Sequence, residues 1–439
     1  MAVKTDKALR NQVMYQIFPR NYSREGNFPA VLRDLDRIKE LGTDIIWFTP
    51  IHPIGVKNRK GTLGSPYANM DYRAVNPEFG DEDDLRQLVD AIHDKGMKCI
   101  IDVVYNHTSP DSVLANEHPE WFYHKPDGSF GNRVADWSDV IDLDYANHDL
   151  WKYQIESLKK WAEIVDGFRC DVAPLVPLEF WLEARAAVEE VRPGAIWLCE
   201  SVEPRFITFM RGRGLTALSD SELYQAFDIS YDYDIFDDFE AYFKGEGTLA
   251  DYAQSVNRQE CIYPDNYVKL RFLENHDRRR AASYITDPKA LNNATAFIFF
   301  QKGLTLIYAG QEYGISHLPG LFDKDDVPWD DPENIDLSGL ISKLACIKKD
   351  PLFADSSYHV KALSDDMLHA VHTEVSFDEE APKQKIEGFF SFSGRPCQVN
   401  VSDIEDGVYE NLITGEDISV KQGMFRFEGE PVIIRSGRL

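Results

Sequence analysis

The sequence is poor in basic residues, and this limits the partners it can bind. Its 439 residues include 74 acidic and 47 basic side chains, which give a formal net charge of −27. A surface with this charge repels nucleic acid and anionic membranes. The sequence therefore predicts a neutral or cationic ligand, no nucleic-acid partner and no membrane partner, and it leaves the oligomeric state open.

Long apolar runs and paired cysteines are also missing. No apolar run approaches the roughly 18 residues of a membrane span, and residues 1–7 lack the apolar segment of a signal peptide. The six cysteines form no CxxC pair and no metal-ligand spacing. Three of them, Cys99, Cys170 and Cys199, lie in apolar strand-like runs, where a thiol packs as a small hydrophobe. These features predict a soluble, reduced, cytoplasmic protein.

Short apolar runs alternate with helix-period segments from Val13 to about Leu344. Strands that are apolar on both faces and alternate with helices are typical of a parallel sheet with crossover helices. About eight such units favour a (β/α)₈ barrel over an open, doubly wound sheet. The predicted strands are 13–18, 44–49, 98–104, 166–171, 196–200, 226–230, 268–273 and 304–308, of which the sixth is the weakest.

Two segments depart from this alternation. Residues 107–145 are rich in proline, glycine, aspartate and aromatic residues without a clear helix, and they predict a small lobe inserted after the third strand. After about Pro351, short alternating runs with a turn at Thr414–Gly415 predict an antiparallel β domain. The predicted domains are therefore a barrel (1–106 and 146–350), an inserted lobe (107–145) and a C-terminal domain resembling a β-sandwich (351–439).

Acidic side chains collect at the carboxyl ends of the predicted strands, where a β/α barrel places its active site. Asp102, Asp171 and Glu200 end the third, fourth and fifth strands, and Asp277 follows the seventh. Carboxylates at adjoining strand ends repel one another, and such an unfavourable arrangement is typical of a functional site. The pattern favours a functional site over a set of structural ion pairs.

The environments of two of these acids differ. Arg169 and Asp171 project to the same side of their strand, so the guanidinium should lower the pKa of Asp171 and keep it ionised, as a nucleophile requires. Taken alone, the pair is equally consistent with a structural tie at a strand end. Glu200 follows the apolar run 196–199, where desolvation favours a carboxyl group that carries a proton. Such a pair of carboxyl groups is typical of glycoside cleavage.

Four sequence regions, in this order, resemble those of the α-amylase family, glycoside hydrolase family 13. They are Asp-Val-Val-Tyr-Asn-His at 102–107, Gly-Phe-Arg-Cys-Asp at 167–171, Glu200, and Glu-Asn-His-Asp at 274–277. Supporting matches lie at 15–19, 46–51, 65–67 with 71–72, and 310–314, so that the resemblance covers about residues 13–345. It implies a small intracellular bacterial-type α-amylase that cleaves α-1,4-glucosidic bonds of maltooligosaccharides by double displacement.

The resemblance also implies roles for the three acids. Asp171 would be the nucleophile that forms a covalent glycosyl-enzyme, and Glu200 would be the acid and then the base. Asp277 would hold sugar hydroxyls and stabilise the oxocarbenium-like transition state. Fixed carboxylates are suited to this task, because they stabilise a positively charged transition state more than a neutral ground state.

The same resemblance implies supporting roles for further residues. His107 and His276 would donate hydrogen bonds to sugar hydroxyls, and Arg169 would orient the nucleophile. Tyr67 would stack on the sugar being cleaved, with a packed core tyrosine as the alternative. Asp102 would be a structural partner of the arginine and the histidines.

The chemistry requires no cofactor, but the resemblance raises the question of a structural calcium ion. Asn106 matches a residue that commonly ligates calcium in the family, and it can equally hold its loop by hydrogen bonds. Family members that bind the ion often have Lys-His soon after the nucleophile, whereas residues 171–175 are Asp-Val-Ala-Pro-Leu. The metal ligands are therefore left unassigned.

Four other functions compete with an α-1,4-glucan hydrolase. The same site would serve an α-glucan transglycosylase or an α-1,6-glucosidase. A non-catalytic sugar-binding barrel is disfavoured because all three acids are present. A dehydrogenase needs a glycine-rich turn directly after a strand, and the glycine-containing stretches at Gly212 and Gly245 do not follow one.

Overall fold

A closed barrel of parallel strands forms the larger part of the molecule. The computed structural model describes residues 4–134, 137–376 and 383–437. The first strand pairs with both the second and the eighth, which closes the barrel and confirms the predicted fold. The eight strands are Val13–Ile17, Ile45–Phe48, Lys98–Val103, Gly167–Cys170, Ile196–Cys199, Ile229–Tyr231, Val268–Arg271 and Leu304–Tyr308.

The strands are apolar on both faces because each face is covered. Met14 and Leu306 lie in a cluster that fills the barrel, while Val13 and Ile307 belong to the larger cluster that packs the barrel against its helices. This alternation follows from the two-residue period of a strand. The barrel therefore has a packed interior, and its open space lies at the strand ends.

Helices surround the barrel, and two predicted elements have different bounds. The helix-period segment 28–41 forms two short helices, because the chain turns at Asp34, whose carboxylate binds the guanidinium of Arg37. The sixth strand begins three residues later than expected, because Ala226 and Phe227 continue the turn after a short helix. The helices are Pro19–Tyr22, Phe28–Leu32, Leu35–Glu40, Glu82–Asp94, Val113–Glu117, His148–Ala162, Leu178–Glu189, Pro204–Gly212, Asp220–Leu223, Phe236–Lys244, Leu249–Ile262, Pro288–Phe300 and Ser338–Lys348.

The lobe after the third strand is held by a short antiparallel pair, His107–Thr108 with Ile141–Asp142. It contains a helix, Val113–Glu117, that the composition did not predict. Ser112 caps this helix by accepting a hydrogen bond from the Ala115 amide at 3.1 Å. Local capping thus outweighs a sequence that lacks a clear helical period.

An antiparallel sheet after the barrel confirms the predicted C-terminal β domain. Its four strands are Ser356–Ser364, Met367–Glu374, Lys385–Ser391 and Val432–Ser436. Two further pairs are Cys397–Asn400 with Met424–Phe427 and Gly407–Glu410 with Asp417–Val420. The domain packs on the helix Pro288–Phe300, where the Ser391 amide donates to Asn293 at 2.8 Å. Within the described part of the chain, no helix has the length and apolar character needed to cross a membrane.

Candidate active site

One cavity of about 310 Å³ lies at the carboxyl ends of the barrel strands. It gathers six of the nine candidate residues, and two more, Asp102 and Arg169, lie beneath them within hydrogen-bond distance. Asn106 lies outside this cavity. The six candidates that line it are Tyr67, His107, Asp171, Glu200, His276 and Asp277.

Asp171 and Glu200 leave neighbouring strands side by side. The strand register pairs Cys170 with Cys199, and the Glu200 amide donates to the Cys170 carbonyl at 3.0 Å. Neighbouring strands lie ~4.8 Å apart. A retaining glycosidase needs its two carboxyl groups about 5–5.5 Å apart, so this register suits a covalent glycosyl intermediate.

A single buried guanidinium holds three carboxyl groups in place. Nη1 of Arg169 donates to Asp102 Oδ1 and to Asp171 Oδ1, each at 2.9 Å. Its Nη2 lies 3.0 Å from Glu200 Oε2. Strand alternation predicts the contact with Asp171, whereas the contact with Glu200 arises only when the fourth and fifth strands pair.

The pKa of Glu200 is raised well above its ordinary value. Burial is the main cause, the charges of Asp171 and Asp277 add to it, and Arg169 opposes it. Burial also raises the pKa of Asp102 to about 8. Because both shifts favour protonation near neutral pH, Glu200 has the proton that a general acid must donate.

The backbone directly after Asp171 is strained and points at Glu200. Val172 has φ of 34° and ψ of 45°, a left-handed conformation that a β-branched residue rarely adopts. Its amide donates a hydrogen bond of 2.7 Å to Glu200 Oε2. The strained residue therefore fixes the orientation of the buried acid, a role that the sequence pattern did not reveal.

His276 is positioned by hydrogen bonds at both ring nitrogens. Gln16 Nε2 lies 2.7 Å from Nδ1, and the Tyr67 hydroxyl lies 2.6 Å from Nε2. Burial lowers the pKa of His276, so that the ring is neutral and, with Nδ1 accepting from the Gln16 amide, carries its proton on Nε2. Nε2 also lies 3.1 Å from Asp277 Oδ2. Gln16 was not singled out from the sequence, although a polar residue two positions after Met14 indicates a side chain inside the barrel.

His107 approaches Asp171 from the lobe. Its Nε2 lies 3.9 Å from Asp171 Oδ2. Its Nδ1 lies 3.1 Å from Nδ2 of Asn106, so the amide of Asn106 orients the histidine ring. Tyr67, which lines the same cavity, stacks on His276 with ring centroids 5.4 Å apart.

Four of the other residues that line the cavity have side chains that were not singled out from the sequence. Lys60 follows the second strand, Trp137 and Asp139 belong to the lobe, and Phe322 follows the eighth strand. They come from three separate segments. No local motif connects them, so their convergence is visible only in the fold.

Comparison with known families agrees with this geometry. A family model described as the α-amylase catalytic domain matches residues 12–137 and 116–351. The chain belongs to the α-amylase family. A second model, the bacterial α-amylase C-terminal domain, matches residues 359–434 of this family member.

Two similar solved structures extend over nearly the whole chain. An α-amylase from Lactobacillus plantarum has a TM-score of 0.93 and 47% identity, covering 98% of this chain and 100% of that one. A noncanonic maltogenic α-amylase, AmyB from Thermotoga neapolitana, has a TM-score of 0.84 and 32% identity with the same coverage. This α-amylase family member therefore shares its complete architecture with both.

Two curated relatives are longer than this chain. The α-amylase MalA from Haloarcula japonica is 26% identical over 426 residues, which are 92% of this chain and 58% of MalA. An α-1,4-glucan:maltose-1-phosphate maltosyltransferase from Pseudomonas aeruginosa is 35% identical over 213 residues, 43% of this chain and 32% of that protein. The chain spans about a third to three fifths of the length of these two relatives.

The residues beside Asn106 in this α-amylase family member fit a calcium ion poorly. The guanidinium of Arg133 lies among the oxygen atoms there, since Nη1 lies 3.6 Å from Asp142 Oδ2 and donates to the Leu143 carbonyl at 3.2 Å. Nη2 lies 3.8 Å from Asp144 Oδ1. Calcium takes six to eight oxygen ligands, and the described residues contain no group of three or more His, Cys, Asp or Glu side chains placed to hold a metal.

Proposed function

We propose that the protein is a retaining glycoside hydrolase that cleaves α-1,4-glucosidic bonds in maltooligosaccharides or related α-glucans. One observation carries the proposal. Asp171 and the buried, proton-carrying Glu200 leave adjacent strands and share the guanidinium of Arg169. This is the pair of unlike carboxyl groups that double displacement at a sugar carbon requires.

In the first step, Asp171 attacks the anomeric carbon. A bond forms between that carbon and a carboxylate oxygen, and the bond to the glycosidic oxygen breaks. Glu200 transfers its proton to that departing oxygen, which leaves as a hydroxyl group. The shared guanidinium of Arg169 keeps both carboxyl groups oriented during the transfer.

In the second step, Glu200 acts as the base. It removes a proton from a water molecule, whose oxygen attacks the anomeric carbon and releases Asp171 as a carboxylate. The released proton stays on Glu200, so the site returns to its starting state. Two inversions at one carbon retain the anomeric configuration.

Asp277 and the two histidines act on the sugar ring. Both transition states carry positive charge at the ring, and the carboxylates around the cavity stabilise that charge. His276 lies at the cavity wall between Tyr67 and Asp277, so its ring faces the bound sugar. His107 lies at the wall beside Asp171.

Transfer to a second sugar is the alternative use of the same intermediate. It is favoured by the local similarity to maltosyltransferases, which reaches 35% identity over 213 residues. A sugar hydroxyl would then replace water in the second step. The ratio of hydrolysis products to lengthened oligosaccharides from maltoheptaose separates the two outcomes.

We further propose that the protein works in the cytoplasm on imported maltodextrin or stored glycogen. All six cysteines are free, and three of them are exposed. Exposed thiols persist in a reducing compartment.

Proton NMR of maltoheptaose cleavage tests the proposal. We expect the α-anomer to appear first. We expect Asp171→Asn to reduce the rate of hydrolysis to a small fraction of the wild-type rate. Asp90→Asn is a matched control on an exposed helix position, and we expect it to cleave as the wild type does. Initial release of the β-anomer, or near wild-type hydrolysis by Asp171→Asn, contradicts the proposal.

A further inference from the structure

An ion pair forms part of the wall of the active-site cavity. Nζ of Lys60, from the segment after the second strand, lies 2.8 Å from Oδ1 of Asp139 in the lobe. The Asp139 side chain is only 7% exposed. A buried carboxylate needs a partner for its charge, so the pair is a stable contact between the two segments.

The segment that carries Lys60 is also tied to the loop after the eighth strand. The amides of Leu63 and Gly64 donate to the Phe322 carbonyl at 3.0 and 3.1 Å. Thr62 donates to Asp323 Oδ1 from its amide at 2.7 Å and from its hydroxyl at 2.6 Å. Four hydrogen bonds thus hold the two loops together as one wall.

Packing against Phe322 completes this wall. A Cβ on Gly61 would lie 2.7 Å from the Phe322 Cβ, so the two loops are already in close contact. The ammonium of Lys60 lies 5.9 Å from the centre of the Phe322 ring. Phe322 is itself 38% exposed, and it lines the cavity together with Trp137.

The order of the strands places this wall opposite the acid. Glu200 follows the fifth strand, which lies across the barrel from the first. The second and eighth strands, whose loops carry Lys60 and Phe322, flank the first. Glu200 protonates the leaving oxygen, so the departing part of the chain lies on its side and the retained sugars extend toward the wall.

We propose that the ion pair of Lys60 and Asp139, together with Phe322, closes the glycone end of the cleft. The closure limits the number of sugar rings before the cleaved bond, so the protein acts from the non-reducing ends of chains and releases short saccharides. The cavity of about 310 Å³ lies at the small end of the roughly 300–1,000 Å³ range of ligand sites. This inference rests on the proposed function and specifies its substrate.

Maltoheptaose with a chemically blocked non-reducing end tests the closure. We expect the wild type to cleave free maltoheptaose at least about tenfold faster than the blocked form, because a bulky end group cannot enter a closed pocket. Lys60→Ala and Asp139→Asn should raise the rate on the blocked form about tenfold and shift the first products to longer saccharides. Lys57→Ala, an exposed lysine in the same loop, should behave as the wild type.

The outcomes separate this inference from the function on which it rests. Cleavage of neither substrate by the wild type overturns the proposed function. Equal cleavage of both substrates by the wild type leaves that function in place and overturns the closure. Because Lys60 is partly exposed, Lys60→Ala should fold, which thermal unfolding checks, and an unchanged rate of the folded variant on the blocked substrate also overturns the closure.

Discussion

Tyr67 and His276 are joined both by a hydrogen bond and by ring stacking. The hydroxyl lies 2.6 Å from Nε2, and the two ring planes are 13° from parallel. The same hydroxyl donates to Asp102 Oδ2 at 3.0 Å, and Asp102 in turn accepts from Arg169. A continuous chain of hydrogen bonds therefore links the wall of the cavity to the guanidinium that contacts Asp171 and Glu200.

Tyr67→Phe should interrupt this chain of hydrogen bonds while the aromatic ring stays in place. The ring remains, but Asp102 loses a donor and His276 loses an acceptor, and an unsatisfied buried group costs about 1–3 kcal/mol. We expect kcat on maltoheptaose to fall by about 10- to 100-fold. Tyr409→Phe, in the C-terminal domain, should keep the wild-type rate. An unchanged kcat for Tyr67→Phe would show that the hydroxyl does not position the site.

Glu200 should set the alkaline limb of the pH profile. Its raised pKa keeps the proton that the acid donates, and the rate falls as rising pH removes that proton. We expect kcat/KM for maltoheptaose to decline above neutral pH. Glu200→Gln should lower the rate by about 10²–10⁴-fold and abolish this decline.

A substrate with a good leaving group separates proton donation from general damage. A nitrophenolate departs without a proton, so the first step of p-nitrophenyl α-maltoside cleavage should suffer less from Glu200→Gln than maltoheptaose cleavage does. Asp90→Asn should reproduce the wild-type profile with both substrates. A wild-type rate that stays flat well above neutral pH would exclude Glu200 as the acid.

Glu200 should also make the free energy of unfolding depend on pH. The folded protein binds the Glu200 proton more tightly than the unfolded chain, so the stabilisation that this proton provides is complete at low pH and is lost as pH rises through the raised pKa. Glu200→Gln has no such proton to lose. We therefore expect the Tm of Glu200→Gln to rise relative to the wild-type Tm as pH increases above the ordinary pKa of glutamate, as scanning calorimetry would measure. A constant difference in Tm would contradict the raised pKa.

Local sequence was sufficient for the barrel and for the positions of the three acids. Strand alternation and strand ends are local properties, and both lead directly to Asp171 and Glu200. The partners of these acids were not predictable in the same way. The amide of Val172 reaches Glu200 only through a strained backbone, and Lys60 meets Asp139 only because distant loops converge over the barrel.

The role of Asn106 was also not predictable from local sequence. Its sequence context left open whether it ligates calcium or orients its loop, and the structure gives it a hydrogen bond to His107. Arg133, which lies in the lobe, was not singled out from the sequence. Its relation to Asp142 depends on the short strand pair that folds the lobe back on itself.

Arg133 should make the lobe independent of calcium. Its guanidinium lies between Asp142 and Asp144 and beside the Leu143 carbonyl, where a dication would meet a fixed positive charge. We expect EDTA to leave both Tm and activity of the wild type unchanged. A loss of Tm with EDTA that calcium restores would show that the ion binds despite the guanidinium.

Arg133→Ala should reverse this behaviour. The variant removes the cation beside the buried Asp142 carboxylate and the hydrogen bond from the guanidinium to the Leu143 carbonyl, and loss of a hydrogen bond from a charged donor costs about 1–3 kcal/mol. We expect a lower Tm that millimolar calcium chloride partly restores, because the vacated carboxylate and carbonyl oxygens can then bind a cation. Arg395→Ala, at an exposed position of the C-terminal domain, should show neither effect. If calcium raises the Tm of the wild type and of Arg133→Ala equally, the ion binds elsewhere and Arg133 does not replace it.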